Sequence, residues 1–196
     1  GEIWEFTAAT VVGHGHNSSQ IYCGAIDPIF DAVLSPRVSA GYFGVTPSIA
    51  LNVNNANTGE NSTILAGDSL TTSYVLNNTG NAGLNDVALD GASYVSGDTN
   101  EDNVLDVEEV WVYTSNTEAL AGMQNVSASV TARHALTDTE VGGTASGSYF
   151  GAVVAVSVDQ TLDSSYILSG DTVGVTYTLN NTGNAGLNDV ALDGAS

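Results

Sequence analysis

The chain has 196 residues, of which 22 are Asp or Glu and only 2 are Lys or Arg, so its formal net charge is −20. Nucleic acids and anionic lipid surfaces are bound through Lys and Arg, so this balance argues against both as partners and favours divalent cations. No apolar run approaches the ~20 residues of a membrane-spanning helix, so we expect no membrane insertion. The single cysteine, Cys23, excludes an internal disulfide framework.

Alternation of apolar and polar residues predicts β-strands along the chain. Gly- and Asn-rich turn sequences separate the alternating segments, and helical spacing is not sustained anywhere. The pattern therefore predicts an all-β protein with half-buried strands. In chain order, the clearest segments are Ile49–Val53, Leu70–Leu76, Val110–Thr114, Val126–Ala132, Val154–Val158 and Val173–Leu179.

A repeated sequence organises these strands. Leu76–Ser93 is identical to Leu179–Ser196 at an offset of 103, whereas Trp4 and Trp111 lie 107 positions apart in similar surroundings. The difference between the two offsets requires an insertion in one copy, and we expect it in a loop near Asn54–Ser62. Because self-similarity at a fixed period outweighs other signals of fold, the chain is predicted to consist of repeated domains.

The phase of the repeat predicts one complete unit and two complementary halves. Residues 1–43 would be the C-terminal half of a unit, residues 44–150 a complete unit, and residues 151–196 the N-terminal half of a further unit. A unit of ~100 residues with about seven short strands is typical of an immunoglobulin-like sandwich of two sheets. We therefore predict tandem immunoglobulin-like β-sandwich repeats, in which the two end halves lack only a counterpart of residues 94–107.

The segment Asp98–Glu109 carries the clearest chemical motif. Its side-chain oxygens at positions 1, 3, 5, 9 and 12, with an aliphatic residue at position 8, match the spacing of an EF-hand calcium loop. Calcium prefers oxygen ligands, and a tight loop presents alternate side chains to one point. The predicted ligands are the side chains of Asp98, Asn100, Asp102 and Asp106 (direct or through water), the bidentate carboxylate of Glu109, and the carbonyl of Val104.

The loop departs from the EF-hand in two respects. Position 6, normally a Gly with left-handed backbone, is Asn103, the next most tolerant residue for that conformation, so the site would be kept with weaker binding. A strand, Val110–Thr114, follows at once in place of a helix. Asp86 and Asp90 are candidates for a further ligand, although such residues are more often turn carboxylates. The same two alternatives apply to the repeat copies Asp189 and Asp193.

This motif resembles that of the tandem immunoglobulin-like repeats of microbial surface proteins, the conserved-repeat domains called DUF11 and their relatives. The matching residues are Gly97–Asn100, Leu105, Asp106, Glu109, Trp111 and Tyr113. The resemblance covers residues 44–150 and, by repeat, the two halves. It implies a calcium-binding domain in a cell-surface stalk, an adhesin, or a matrix or filament protein. Residues 1–43 depart from the pattern, since they keep Glu2 and Trp4 but lack the rest of the loop.

Other candidate sites are weaker. His14 and His16 with Cys23 are suited to a zinc or copper site, but their counterparts in the complete unit are all apolar. We therefore expect Cys23 to be a small buried residue like its counterpart Val130, and His134 to lie at the surface. The chain contains no Gly-x-Ser-x-Gly elbow and no repeated Ser–His–Asp set, so no enzyme is predicted.

The sequence thus favours a structural protein located outside the cell or at its surface. It would be a calcium-stabilised array of sandwiches that continues head to tail as a filament, stalk or matrix fibre, with calcium and further copies of itself as partners. The alternative is an adhesin or glycan-binding module, which would need Trp111, Tyr113 or Tyr149 at an exposed site. The position of Trp111 on a strand directly after the loop favours a core role instead.

Two arrangements would complete the end halves. If copies are separate subunits, the C-terminal half of one completes the N-terminal half of the next by strand addition, which covers exposed sheet edges. Such open head-to-tail repetition gives a fibre. Alternatively, the residues are one stretch of a longer polypeptide of the same repeats, which the near-identity of the repeats slightly favours.

Overall fold

The computed structural model describes residues 3–26, 29, 33, 34, 36–55 and 62–193. Within these ranges the protein is all-β and contains no α-helix, as the alternation predicted. We call residues 3–44 the N-terminal region, residues 49–152 the central region and residues 153–193 the C-terminal region. The strands are β1 (Gly15–Tyr22), β2 (Ala25–Ile26), β3 (Val33–Leu34), β4 (Arg37–Gly44), β5 (Ile49–Asn55), β6 (Thr63–Leu65), β7 (Ser69–Asn78), β8 (Leu84–Leu89), β9 (Ser93–Ser96), β10 (Val110–Glu118), β11 (Gly122–His134), β12 (Glu140–Ala152), β13 (Val156–Leu162) and β14 (Val175–Asn181).

The central region consists of two four-stranded sheets with a shared core. Their strand orders are β5-β7-β10-β9 and β6-β12-β11-β8. Neighbouring strands are antiparallel except β6 and β12, which are parallel. One hydrophobic cluster joins Leu76 and Trp111 of the first sheet to Leu84 and Val130 of the second. The arrangement is therefore sandwich-like, with eight strands where about seven were expected.

Alternation along each strand decides which side chains enter this core. On β7, Leu70, Thr72, Tyr74 and Leu76 are buried while the residues between them are more exposed. The inward residues of β11 become buried towards its C-terminal end in the same alternating manner. Full burial of a Leu or Val side chain contributes roughly 1.5–3 kcal/mol, so these inner faces supply most of the stability of the sandwich.

The terminal regions repeat the strand pairing of the central region. β1 pairs with β4 in the register of β11 with β12, so that Gly15 opposite Gly44 corresponds to Gly122 opposite Gly151. β13 pairs with β14 in the register of β5 with β7. Within the described residues each of these pairs is a two-stranded sheet, so its apolar face has no second sheet packed against it.

The structure also locates the insertion that separates the two offsets. β5 and β13 align at an offset of 107, since Ile49 and Val156 begin equivalent strands. The turns in which Asp68 N–H bonds to Leu65 and Asp171 N–H bonds to Leu168 align at 103. The extra residues therefore lie between Asn55 and Leu65, in agreement with the expected loop, of which residues 56–61 lie outside the described part of the chain.

Two expectations about burial are wrong. Cys23 is exposed, because β1 and β4 form a sheet whose inner face is uncovered in the described residues. His134 is only 4% exposed. The Nδ1 atom of its ring lies 2.8 Å from the hydroxyl of Thr137, and its backbone N–H donates to the carbonyl of Thr139 at 3.0 Å. The β11–β12 turn therefore encloses the His134 side chain.

Candidate metal centre and repeat junctions

The predicted calcium loop connects β9 to β10 and is fastened to both sheets. Leu105, at position 8 of the loop, is fully buried. It exchanges backbone hydrogen bonds of 2.7 and 3.1 Å with Leu84, the first residue of β8 in the second sheet. Its carbonyl also accepts a hydrogen bond of 2.9 Å from the side chain of Asn78, the last residue of β7 in the first sheet. The loop is thus held to the core at Leu105.

The turn of the loop winds around the side chain of Asp98. Its two carboxylate oxygens accept N–H groups from Asn103 at 2.9 Å and Asp102 at 3.3 Å. Asp102 in turn accepts the N–H of Val104 at 2.8 Å. Asn103 has a φ of 62°, the left-handed conformation expected at position 6, and an Asn tolerates it better than most residues. The backbone therefore follows a course that turns side-chain oxygens towards the loop interior.

Four of the predicted ligand side chains converge in this interior. The Oδ1 atoms of Asp98 and Asn100 both accept the N–H of Asp102 at 3.3 Å. The amide nitrogen of Asn100 lies 3.1 Å from a carboxylate oxygen of Asp102 and 3.2 Å from one of Asp106. The N–H groups of Asn100 thus supply partial positive charge between two carboxylates, which is the position where a cation would be favoured.

Glu109 occupies a separate, buried position at the base of the loop. Its Oε1 accepts the N–H and the hydroxyl of Thr99 at 2.8 and 2.7 Å. Its Oε2 accepts the indole N–H of Trp111 at 3.1 Å and the N–H of Asp106 at 3.3 Å. These hydrogen bonds, those from Thr99 above all, lower the pKa of Glu109 to about 2. Glu109 therefore closes the loop as a carboxylate, with both oxygens engaged by protein donors.

The atom types of the predicted ligands suit a hard divalent cation, but the distances between the side chains do not yet match those of a bound ion. Carboxylates and an amide are the oxygen ligands that calcium takes, and Val104 lies in the same turn. The ion pairs found in the described residues are those of Arg133 with Asp138 and Glu140, on the β11–β12 turn, so the loop carboxylates have no basic partner there. In the described conformation, however, no three His, Cys, Asp or Glu side chains are spaced to hold one metal ion.

An open pocket of about 570 Å³, which no sequence motif predicts, lies beside the loop. Asp98, Asp102 and three aromatic residues are among the residues that line it. Tyr94 contacts the rings of Trp111 and Tyr113 edge to face at 5.5 Å, and its hydroxyl accepts the N–H of Asp98 at 2.8 Å. Burial, with a smaller contribution from Tyr94, raises the pKa of Tyr113. The pocket thus combines carboxylates with one accessible aromatic ring, that of Tyr94.

The histidines of the N-terminal region do not form a site with Cys23. The ring of His14 is 2.9 Å from the hydroxyl of Thr46, and the ring of His16 packs edge to face against Phe43 at 4.9 Å. Both lie at the start of β1, whereas Cys23 follows its end. A strand of that length extends ~25 Å, so the thiol is far from either imidazole.

Two equivalent asparagines bond the segments that connect β4 to β5 and β12 to β13, where the sequence predicts the boundaries of the repeat units, a role that sequence reasoning missed. Asn81 accepts the N–H of Thr46 at 2.7 Å and donates to the carbonyl of Gly44 at 2.9 Å. Its copy, Asn184, accepts the N–H of Val153 at 2.6 Å and donates to the carbonyl of Gly151 at 2.9 Å. The signal in the sequence was the identical Asn-Asn-Thr-Gly-Asn-Ala-Gly segment, which was interpreted only as a turn.

Comparisons with known proteins assign no family to the chain. No protein-family model matches it, and no curated protein is significantly similar to it. In the ranges that the structure describes, no helix has the length and apolar character needed to cross a membrane.

Proposed function

We propose that this protein is a structural component of an extracellular or cell-surface filament, stalk or matrix fibre, built from calcium-stabilised immunoglobulin-like repeats. The observation that carries the proposal is the junction. Asn81 and Asn184 make the same pair of hydrogen bonds to successive inter-unit connections. A side chain that bonds each connection in the same way would hold successive units in the same relative arrangement, as an extended array requires.

Calcium would act on the loop between β9 and β10. Asp98, Asn100, Asp102 and Asp106, with the carbonyl of Val104, would hold the ion, which supplies positive charge among the carboxylates. Because the loop is fastened to both sheets through Leu105, its stabilisation would extend to the whole sandwich. A ligand that binds only the folded state stabilises it by about 2.7 kcal/mol at a concentration 100 times its dissociation constant.

Glu109 has two alternative roles. It would be a bidentate calcium ligand at position 12 of the loop, or it would be a clasp, by which we mean a carboxylate that closes the loop through its hydrogen bonds with Thr99 and Trp111. Calcium titration by calorimetry separates them. If Glu109 is a ligand, Glu109→Gln weakens calcium affinity by at least as much as Asp102→Asn does. If it is a clasp, Glu109→Gln lowers stability in chelator while the affinity of the folded protein changes by less than about threefold.

The calcium proposal is tested by thermal unfolding in calcium and in chelator. We expect calcium to raise the melting temperature, and we expect this rise to disappear when Asp98→Ala is combined with Asp102→Ala. The matched control combines Asp138→Ala with Glu140→Ala, which removes the same charge from the β11–β12 turn and should keep the calcium effect. An identical melting temperature with and without calcium in the unmodified protein would refute a calcium role.

The extracellular location rests on charge and on the class of calcium site. Extracellular calcium modules bind at about 10⁻⁴–10⁻³ M, a range that suits the weaker binding expected of a loop with Asn at position 6. A net charge of −20 keeps copies soluble and apart until cations screen it. Location is tested by fractionating the source cells and probing the surface and medium fractions with an antibody. Detection confined to the cell interior would contradict it.

The pocket beside the loop favours glycan binding as the second candidate. Its rim presents the carboxylates of Asp98 and Asp102 and the ring of Tyr94, which is 46% exposed. Trp111 and Tyr149, by contrast, are both buried, and Tyr149 belongs to another hydrophobic cluster. Titration of tryptophan fluorescence with sugars, in the unmodified protein and in Tyr94→Ala, tests this candidate. A saturable change that Tyr94→Ala abolishes would support it, and no change would exclude it.

A further inference from the structure

We propose that the C-terminal region of one copy and the N-terminal region of a second copy assemble into a composite sandwich. In it, residues 3–11 of the second copy form a strand that pairs antiparallel with β14 of the first. The inference rests on the proposed function for the head-to-tail order of units, and it names the surface and the partner that produce this order. The central region, in which every equivalent strand is in place, is its template.

The first observation is an uncovered apolar face in the C-terminal region. Val158, on β13, is 53% exposed, whereas Leu51, at the equivalent position of β5, is 7% exposed. Most of the other inward positions of β13 and β14 are exposed as well, although their equivalents in β5 and β7 lie in the central core. In the central region β10 extends the sheet of β5 and β7, and the sheet that contains β11 and β12 covers its apolar face.

The second observation is that the N-terminal region carries the covering elements. Trp4 is 73% and Phe6 85% exposed, and residues 3–13 form no strand. Their equivalents, Trp111 and Tyr113, are buried residues of β10. β1 and β4 reproduce the pairing of β11 and β12. The N-terminal region therefore has the strands that the C-terminal region lacks, and each exposes the face that the other would cover.

The central region fixes the register of the composite. Trp111 lies opposite Leu76, and Tyr113 opposite Tyr74, in the pairing of β10 with β7. The equivalent pairs place Trp4 of the second copy opposite Leu179 of the first, and Phe6 opposite Tyr177. Cross-strand pairs of large apolar and aromatic residues on one face are the main source of sheet stability.

The second sheet of the composite follows in the same way. Val130 of β11 lies opposite Leu89 of β8, so Cys23 would lie opposite Leu192, and the exposed thiol would become buried. Gly151 of β12 lies opposite Ile64 of β6, so Gly44 would lie opposite Ile167. The exposed segments at 166–168 and 187–192 thus acquire the strand partners that their equivalents have.

The geometry of the central region favours a second copy over closure within one chain. The connection to the N-terminal region starts at Ile49, opposite Asn78 at one end of β7. The connection to the C-terminal region leaves at Ala152, next to β6, and the Ala66 N–H there bonds to the Ala152 carbonyl, just before β7 begins. β7 spans ten residues, or roughly 33 Å, so the two terminal regions are attached at opposite ends of the sandwich.

Cysteine cross-linking tests both the partner and the register. Glu5 and Thr178 would be direct partners, equivalent to Val112 opposite Val75. Antiparallel partners have Cα atoms about 4.5–5.5 Å apart, within reach of a disulfide. The full chain carrying Cys23→Ser, Glu5→Cys and Thr178→Cys, oxidised and run without reductant, should give a ladder at multiples of 20.0 kDa. The matched control replaces Thr178→Cys by Thr182→Cys, which is out of register, and should remain monomeric.

Each outcome is decisive for the composite. A ladder that is stronger in the Glu5/Thr178 variant supports the second copy and the register. A monomer with an internal disulfide overturns the second copy in favour of self-closure, and equal ladders in both variants overturn the register. No cross-link at high protein concentration overturns the composite. Repeating the oxidation in chelator separates this inference from the calcium proposal, because the ladder can persist when calcium has no effect on melting.

A mixing experiment gives an independent readout. One variant carries Trp4→Asp with Phe6→Asp, and the other carries Val158→Asp with Tyr177→Asp, so that each has lost one of the two surfaces. Light scattering should find monomers of each alone and dimers in the mixture, with the Cys23 thiol of the second variant protected from labelling only in the mixture. Multimers of either variant alone, or no dimer on mixing, would contradict the proposal.

Discussion

The central and C-terminal regions contain the same sequence in two different surroundings. Leu76 and Leu84 are fully buried, whereas Leu192, the copy of buried Leu89, is 45% exposed. Yet the turn is the same in both, since the side chain of Asn78 donates to the carbonyl of Ala82 and its copy Asn181 donates to that of Ala185, at 2.8 Å in each case. The difference teaches that local sequence sets the turn and the course of the backbone, whereas burial depends on the sheet that faces the strand.

Strand β8 shows the same division between local and tertiary control. Asp86 and its copy Asp189 have nearly equal left-handed φ values, 51° and 54°, so the backbone keeps its local course in both regions. In the central region this segment is a strand paired with β11, whereas residues 187–192 form no strand. An identical sequence is thus a strand only where a partner lies beside it.

The largest expected effect is the difference between Leu76→Ala and Leu179→Ala. Removal of a fully buried Leu side chain costs about 2–5 kcal/mol, because a cavity remains in a packed core. The same change at Leu179 should cost less than ~1 kcal/mol at protein concentrations where the chain is monomeric. Urea unfolding monitored by fluorescence measures both values. Equal losses would show that the C-terminal region is already packed within a single copy.

Glu109→Gln should have the next largest effect, a loss of roughly 2 kcal/mol at pH 7 in chelator, because hydrogen bonds to a buried carboxylate are lost. The folded pKa of Glu109 is lowered from 4.5 to about 2, so its contribution is complete above pH 4.5 and is lost as the pH falls towards 2. The stability difference between the variant and the unmodified protein should therefore shrink over this range. Glu118→Gln, at an exposed glutamate of β10, is the control, and a pH-independent difference would contradict the clasp.

Asn78→Ala should cost about 1–3 kcal/mol, since it leaves the buried carbonyl of Leu105 short of one donor and releases the loop from β7. Its copy, Asn181→Ala, removes the hydrogen bonds of the turn alone and should cost less than ~1 kcal/mol. Chemical unfolding of the two variants measures the difference directly. A larger loss at Asn181 would reverse the comparison between the regions.

The smallest effect is expected at the junctions, where the two regions should behave alike. Asn81→Ala and Asn184→Ala should each cost about 1 kcal/mol or less, because the hydrogen bonds that each removes, two at Asn184 and a further weak one to His14 at Asn81, lie at exposed or half-buried positions. Hydrogen exchange should accelerate at the amide of Thr46 in the first variant and of Val153 in the second. Protection that survives both substitutions would show that the junction does not depend on the asparagine.

Much of the fold was predictable because it depends on local periodicity. The inward faces of β7 and β11, the left-handed Asn103 and the buried Trp111 all follow from residue type and spacing. His134 continues the inward alternation of Val130 and was still misjudged, because an isolated His was treated as polar surface without regard to its position on the strand. Cys23 was misjudged because the prediction assumed a facing sheet.

At the candidate site, spacing predicted which side chains share one turn but not the contacts that hold the loop. The EF-hand spacing predicts that Asp98, Asn100, Asp102 and Asp106 lie close together, and the structure places them in one turn. Spacing did not reveal that Thr99 and Trp111 hold Glu109, or that Tyr94 forms a pocket, because these contacts join residues through the geometry of two strands and a loop. Such contacts depend on three-dimensional positions that the linear pattern does not encode.

The recurrence of one junction has a geometric consequence. When each body is placed relative to the last by a single rigid operation, repetition of that operation generates a helix with constant rise and rotation. Asn81 and Asn184 make the same pair of hydrogen bonds at two successive connections, which is the local recurrence that such repetition requires. The curvature and twist of a repeat array follow from the small rotation between neighbours, so identical junctions would give the proposed array a constant pitch.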